Sequence, residues 1–277
     1  MTAPILLDGP VGTELLRRGV PTPLPLWSAH AIDTAPDVLA AIHADYAAAG
    51  ATVHTANTFR CTPWALAKAG RSDAARLVRG AVEIARSAVP RDHTVAGSLA
   101  PLEDCYSPHL SPPPAEARRG LRDAAELLAA ADVDLLLCET FPHPGEALLA
   151  AEAAAATGLP VWLSLTPGPF GELLDDLTIL DVARRAVAVG AERVLVNCGR
   201  PGRLTSAVRL LADAGIPTGA YGNVGEPDAV QGWRSEGPSA PGPYADTVRG
   251  WVAAGAEVIG GCCGTTPAHI AALAAQL

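Results

Sequence analysis

The sequence predicts an α/β protein, a single (β/α)8 TIM barrel with residues 1–277 as one domain. Eight short β-rich runs alternate with alanine-rich amphipathic runs from end to end, and several helical runs close on the same glycine turn. The 277-residue length matches a (β/α)8 barrel of about 250 residues. A doubly wound open sheet is the rival architecture, but the segment after the first strand, DGPVGTELL, does not fit the glycine fingerprint GxGxxG of dinucleotide-binding folds.

In chain order, strands are expected at 5–8, 52–57, 94–100, 133–140, 161–166, 193–198, 217–223 and 257–261. Apolar runs this short, alternating with helices, imply a parallel sheet buried on both faces. Helices are expected at 36–49, 72–89, 115–131, 144–157, 178–189, 203–214, 244–254 and 267–276. Four of the turns that follow (AAAGA at 47–51, AVGAE at 188–192, DAGIP at 213–217, AAGAE at 253–257) carry a glycine where a helix ends in the left-handed conformation. Three proline-rich stretches, 19–27, 107–114 and 235–243, read as loops.

Composition narrows the function classes. Twenty Lys and Arg stand against 29 Asp and Glu, a net charge of −9, which argues against nucleic acid or an anionic membrane as partner. No run approaches the length of a membrane span, and the N-terminus lacks the basic and apolar regions of a signal peptide. Six cysteines are too few for a disulfide scaffold, so the expected setting is cytoplasmic, with free thiols or metal ligands. The chain has one lysine, Lys68, in a helical run, a poor basis for Schiff-base chemistry.

In a barrel the chemistry sits at the C-terminal strand ends. Cys198 ends the sixth strand, and Cys262 and Cys263 follow the eighth inside GGCCGTTP. Three thiolates with one open position suit catalytic zinc. Adjacent residues on a regular strand face opposite ways, so the flanking glycines must let the chain turn both sulfurs inward. Thr265 and Thr266 are placed to cap the last helix, whose positive end is expected to favour the neighbouring thiolates. Cys61, Cys105 and Cys138 read as small core residues.

The motifs LLDGPVGTEL, HADYAAAGATVHTANTF, GSLAP, LLLCETF, NCG and GGCCGTTPAHI together resemble the zinc-dependent homocysteine S-methyltransferases over nearly the whole chain. The S-methylmethionine- and S-adenosylmethionine-using type is the most similar. The resemblance implies one zinc ion per chain on Cys198, Cys262 and Cys263, and methyl transfer from a sulfonium donor to L-homocysteine, giving methionine. It places the acceptor's amino-acid end at Asp8, Gly9 and nearby amides such as that of Val11, and at Glu139. Asn57 and Asn223 are further substrate-binding candidates. Trp27 and Phe59 are candidates for the donor, since an aromatic face attracts a sulfonium. The partners implied are small molecules, with the oligomeric state open.

Two departures bear on the acceptor. Pro10 follows Asp8 and Gly9 and has no N–H to offer a carboxylate, which leaves the amides of Val11 or Gly12, or another loop. The loop after the fifth strand, TPGPFGELLDD, is short. The alternatives are another thiol or a selenol as acceptor, a betaine-type donor, and a non-catalytic barrel whose zinc is closed by His54 or His143.

Overall fold

The computed structural model describes residues 3–226 and 240–277. Its strands are β1 (Ile5–Leu6), β2 (Val53–Ala56), β3 (Thr94–Leu99), β4 (Leu135–Phe141), β5 (Val161–Leu165), β6 (Arg193–Asn197), β7 (Thr218–Gly222) and β8 (Val258–Gly261). They form one parallel eight-stranded sheet in the order β1-β8-β7-β6-β5-β4-β3-β2. Leu7 bridges Val53, and the Asp8 N–H donates to the Val53 carbonyl at 3.0 Å, so the sheet returns on itself. Closure of this kind removes the exposed sheet edge.

The eight expected helices are present, as Pro36–Ala48, Ala74–Ala88, Pro114–Ala129, Pro144–Ala155, Asp176–Ala188, Pro201–Asp213, Pro241–Ala253 and Pro267–Ala274. The glycines of the four recurrent turns all take positive φ. Three shorter helices, Val11–Arg17, Ala31–Thr34 and Pro63–Lys68, were not expected, being too short to show a helical period. Of the expected loop at 235–243, residues 235–239 lie outside the described residues, and from Pro241 the chain is helical. Among the described residues no helix is long and apolar enough to cross a membrane.

Side-chain alternation along the strands positions the site. Leu7, Val53, Ala96, Leu135, Leu137, Trp162, Leu195 and Val258 fill the barrel interior as a cluster separate from the larger core under the helices. One step of two residues further along, the same inward face carries Thr55, Ser98, Glu139, Ser164, Asn197 and Tyr221. A polar layer therefore lies directly on an apolar floor, at the C-terminal ends of the strands.

Candidate functional site

Above that floor opens a cavity of about 830 Å³. Of the residues singled out in the sequence, Asp8, Gly9, Val11, Trp27, Asn57, Phe59, Glu139, Cys198, Cys262 and Cys263 all line it. Asn223 does not. It is buried beside the cavity with both side-chain amide atoms unpartnered, while its backbone N–H donates to the Gly199 carbonyl at 2.9 Å.

The three thiols meet at one side of the mouth, with their sulfurs all within 4.8 Å of one another and the Cys198 and Cys262 Sγ atoms 3.1 Å apart. β8 ends at Gly261, so Cys262 and Cys263 belong to a turn and escape the alternation of a strand. Thr265 closes that turn, its N–H and hydroxyl both donating to the Cys262 carbonyl at 3.0 and 2.8 Å. Gly264 makes it possible: its φ is +81°, and a Cβ there would fall 1.9 Å from the Val224 carbonyl oxygen. Thr266 then starts the last helix, its N–H donating to Nδ1 of His269 at 3.1 Å in a capping box. Cys198 is itself left-handed, with φ 56°, which swings its sulfur off the line of β6 and toward Cys262.

A chain of hydrogen bonds leads to the same sulfur. Ser164 donates to Oδ1 of Asn197 at 2.8 Å, Nδ2 of Asn197 donates to Oγ1 of Thr140 at 2.8 Å, and the Thr140 hydroxyl donates to Sγ of Cys198 at 3.9 Å. Thr140 is held for this by a register shift in β4 between Cys138 and Phe141, and has a φ of 65°. Bulges of this kind re-aim side chains next to active sites.

The surroundings of the three thiols favour their protonated forms. Cys198 is raised well above the usual thiol range, foremost by its hydrogen bond with Cys262, and Cys263 foremost by its contact with Cys198. For Cys262 the bond with Cys198 favours the thiolate, but the contact with Cys263 and burial outweigh it. Burial and mutual proximity oppose the thiolate-favouring effect expected of the helix end. A cation brought among the sulfurs would shift that balance toward the thiolates.

Across the mouth stand two carboxylates. Oδ2 of Asp8 accepts from the Thr55 N–H at 2.9 Å and Oδ1 from the Thr55 hydroxyl at 3.1 Å, which ties the opening loop to β2. Glu139 accepts from the hydroxyl of Ser98 on β3, and from that of Tyr221 on β7 at 3.2 Å. Burial is the first cause that raises both carboxyls above their ordinary range. Ser98 and Tyr221, absent from the candidate list, are thus the residues that aim Glu139.

The remaining candidates are placed as follows. Nδ2 of Asn57 donates to the Ser28 carbonyl at 2.8 Å, fixing the segment that carries Trp27. Trp27 meets Phe59 edge-on, with ring centroids 5.9 Å apart. The short loop after β5 still reaches the mouth through Pro169, Phe170 and Glu172. Cys61 and Cys138 are core residues as expected, but Cys105 lines the cavity on a loop after β3 that folds back over the mouth. Tyr106 beside it lies near the sulfurs, and burial foremost raises its phenol. Neither histidine proposed to close the metal site does so. His54 contacts His93 at 3.0 Å behind β2, and Nδ1 of His143 accepts from the Glu146 N–H at 3.1 Å. Among the described residues the sulfur cluster has no fourth protein ligand.

Comparison with known proteins agrees with this geometry. The family model for homocysteine S-methyltransferase matches residues 5–277. A curated homocysteine S-methyltransferase of Escherichia coli is 34% identical, over 98% of this chain and 94% of its own length. A selenocysteine methyltransferase of Astragalus bisulcatus is 28% identical, over 95% and 89%. The crystal structure of the E. coli homocysteine methyltransferase MmuM in its metallated form superposes with a TM-score of 0.84 at 30% identity, covering 100% of this chain and 97% of that one. Its apo form superposes at 0.75. The chain belongs to the homocysteine S-methyltransferase family.

Proposed function

We propose that this family member is a zinc-dependent thiol methyltransferase that moves a methyl group from a sulfonium donor to L-homocysteine, giving methionine. The observation that carries the reading is the convergence of Cys198, Cys262 and Cys263 at the wall of an open cavity with no fourth protein ligand among the described residues. The donor set fits zinc. Three soft thiolates are typical zinc ligands, and sulfur–sulfur separations of about 3.8 Å around a tetrahedral ion follow from zinc–sulfur bonds near 2.3 Å. The sulfurs here lie within 4.8 Å of one another, so small side-chain rotations suffice.

When bound, zinc would supply Lewis acidity that strips the proton from an acceptor thiol near neutral pH. The residues of the chain bind and orient. Glu139, held by Ser98 and Tyr221, accepts hydrogen bonds from the acceptor's ammonium. Asp8 secures the opening loop against β2 at the cavity wall. The acceptor sulfur's lone pair forms the new bond to the methyl carbon, while the donor's sulfur–methyl bond breaks and its electron pair stays on the departing sulfur. The sulfonium leaves as a neutral thioether, and the acceptor's proton has already gone to solvent. Before transfer, the negative thiol side and the aromatic faces of Trp27 and Tyr106 favour a cationic donor.

A matrix of thiol and selenol acceptors against sulfonium and betaine donors, assayed on zinc-loaded protein, tests the assignment. Highest kcat/KM for homocysteine with S-methylmethionine or S-adenosylmethionine is expected. Turnover confined to a betaine, or to a selenol acceptor, would replace that part of the reading.

A further inference from the structure

An amino-acid substrate brings a carboxylate as well as an ammonium, and this cavity is hostile to carboxylates. Its wall carries Asp8, Asp104, Glu139 and Glu172 together with the three sulfurs. The opening loop has Pro10 where an N–H would be useful. Among the described residues lining the cavity, one side chain is basic: Arg60, four residues beyond the end of β2.

Arg60 is held in place but not satisfied. Its guanidinium lies 5.4 Å from the Phe59 ring centroid, and Nη1 donates to the Glu103 carbonyl at 3.2 Å. Its Nε is buried without a partner. The Glu103 carboxylate does not neutralise it, being turned to Nε1 of Trp64 at 2.9 Å and to Lys68. A guanidinium has five donors in a rigid fork suited to a carboxylate, and a buried donor left open carries a desolvation penalty. Phe59, considered above as a donor-facing ring, gives one face to Arg60 and its edge contact to Trp27, so it serves here to fix the guanidinium.

We propose that Arg60 is the carboxylate-binding residue of this cavity, taking the carboxylate of an amino-acid substrate by charge-assisted hydrogen bonds. The inference rests on the methyltransferase reading above. That chemistry has two sources, the thiol acceptor and an amino-acid sulfonium donor, and binding measurements on zinc-loaded protein separate them. One arm compares L-homocysteine with 3-aminopropane-1-thiol, its decarboxylated counterpart. The other compares S-methylmethionine with (3-aminopropyl)dimethylsulfonium. Calorimetry gives each dissociation constant for the wild type, Arg60→Met and Arg60→Lys, with zinc content and circular dichroism as checks on folding.

In the arm that uses Arg60, the wild type prefers the carboxylate-bearing ligand, and Arg60→Met reduces that preference about 10- to 100-fold. The decarboxylated ligand is unaffected, and Arg60→Lys recovers part of the preference because it keeps the charge without the fork. An unchanged preference in both arms overturns the inference. So does equal weakening of both members of each pair, which would mean that Arg60 only supports the loop through Glu103. A wild-type protein that binds neither thiol overturns the methyltransferase reading itself, and this inference with it.

Discussion

On the β1–β4 side of the mouth, Asp8 and Glu139 are already held by protein donors: Thr55 for the first, Ser98 and Tyr221 for the second. On the β6–β8 side, Cys198, Cys262 and Cys263 have chiefly each other, with the Thr140 hydroxyl as one outside donor to Cys198. Both sides are buried, and both have pKa values displaced toward the protonated form. They differ in what completes them. The carboxylate side is shaped before substrate arrives, whereas the thiol side would release its protons to solvent only when a cation binds. One half of the mouth is suited to recognition and the other to activation.

Substitutions should separate the halves. The largest effect is expected from Cys262→Ser, which removes one of three soft donors. The wild type should hold about one zinc per chain, and the variant should lose most of it together with activity while the barrel stays folded. Elemental analysis beside circular dichroism reads this directly. Glu139→Gln should do the reverse, keeping zinc but raising the acceptor KM about 10- to 150-fold through loss of a charge-assisted hydrogen bond, with the donor KM little changed.

The pH dependence of acceptor binding sharpens the contrast. Glu139 must be ionised to receive an ammonium, and burial raises its pKa above the ordinary glutamate range. The protonated form therefore persists to higher pH than for an exposed glutamate. Loss of the acceptor's thiol proton already makes affinity fall on acidification; that fall should steepen while still above the ordinary carboxylate range, and Glu139→Gln should remove the extra steepness. A smaller effect is expected at Thr140. Thr140→Val removes the hydroxyl that donates to Cys198 and should weaken zinc binding about tenfold, as outer-shell partners of metal ligands do, with Thr140→Ser restoring it. A chelator competition assay measures both variants.

The same contrast explains which parts of the molecule were legible in the sequence. The barrel was readable because each βα unit repeats the same periods and the same glycine turn. The thiol side was readable because the CC pair in its glycine-rich setting is unusual on a strand end, and Cys198 ends a neighbouring apolar run. Glu139 was legible as an acidic residue at the end of the fourth strand, and the family resemblance gave it its place at the acceptor. Its supports were not, since Ser98 and Tyr221 lie 41 and 82 positions away and meet it only once the barrel closes. Nor was Cys105, whose place at the mouth depends on how an irregular loop folds back. Asn223 shows the opposite case, being absent from the cavity lining. Its strand-end position suggested a substrate contact, but a residue at a strand end points into the cavity only if the loop beyond it turns that way. The β4 register shift and the left-handed Cys198, both invisible to alternation rules, decide the aim of Thr140 and of a sulfur.

The central claim is that the three thiols hold a zinc ion whose remaining position receives the acceptor sulfur. X-ray absorption spectroscopy at the zinc edge, on the loaded protein with and without homocysteine and in the absence of donor, counts the sulfurs around the metal. The account predicts three sulfurs plus one lighter atom alone, and four sulfurs once homocysteine is bound. A sulfur count that stays at three with homocysteine demonstrably bound, or that is already four without it, would contradict the account.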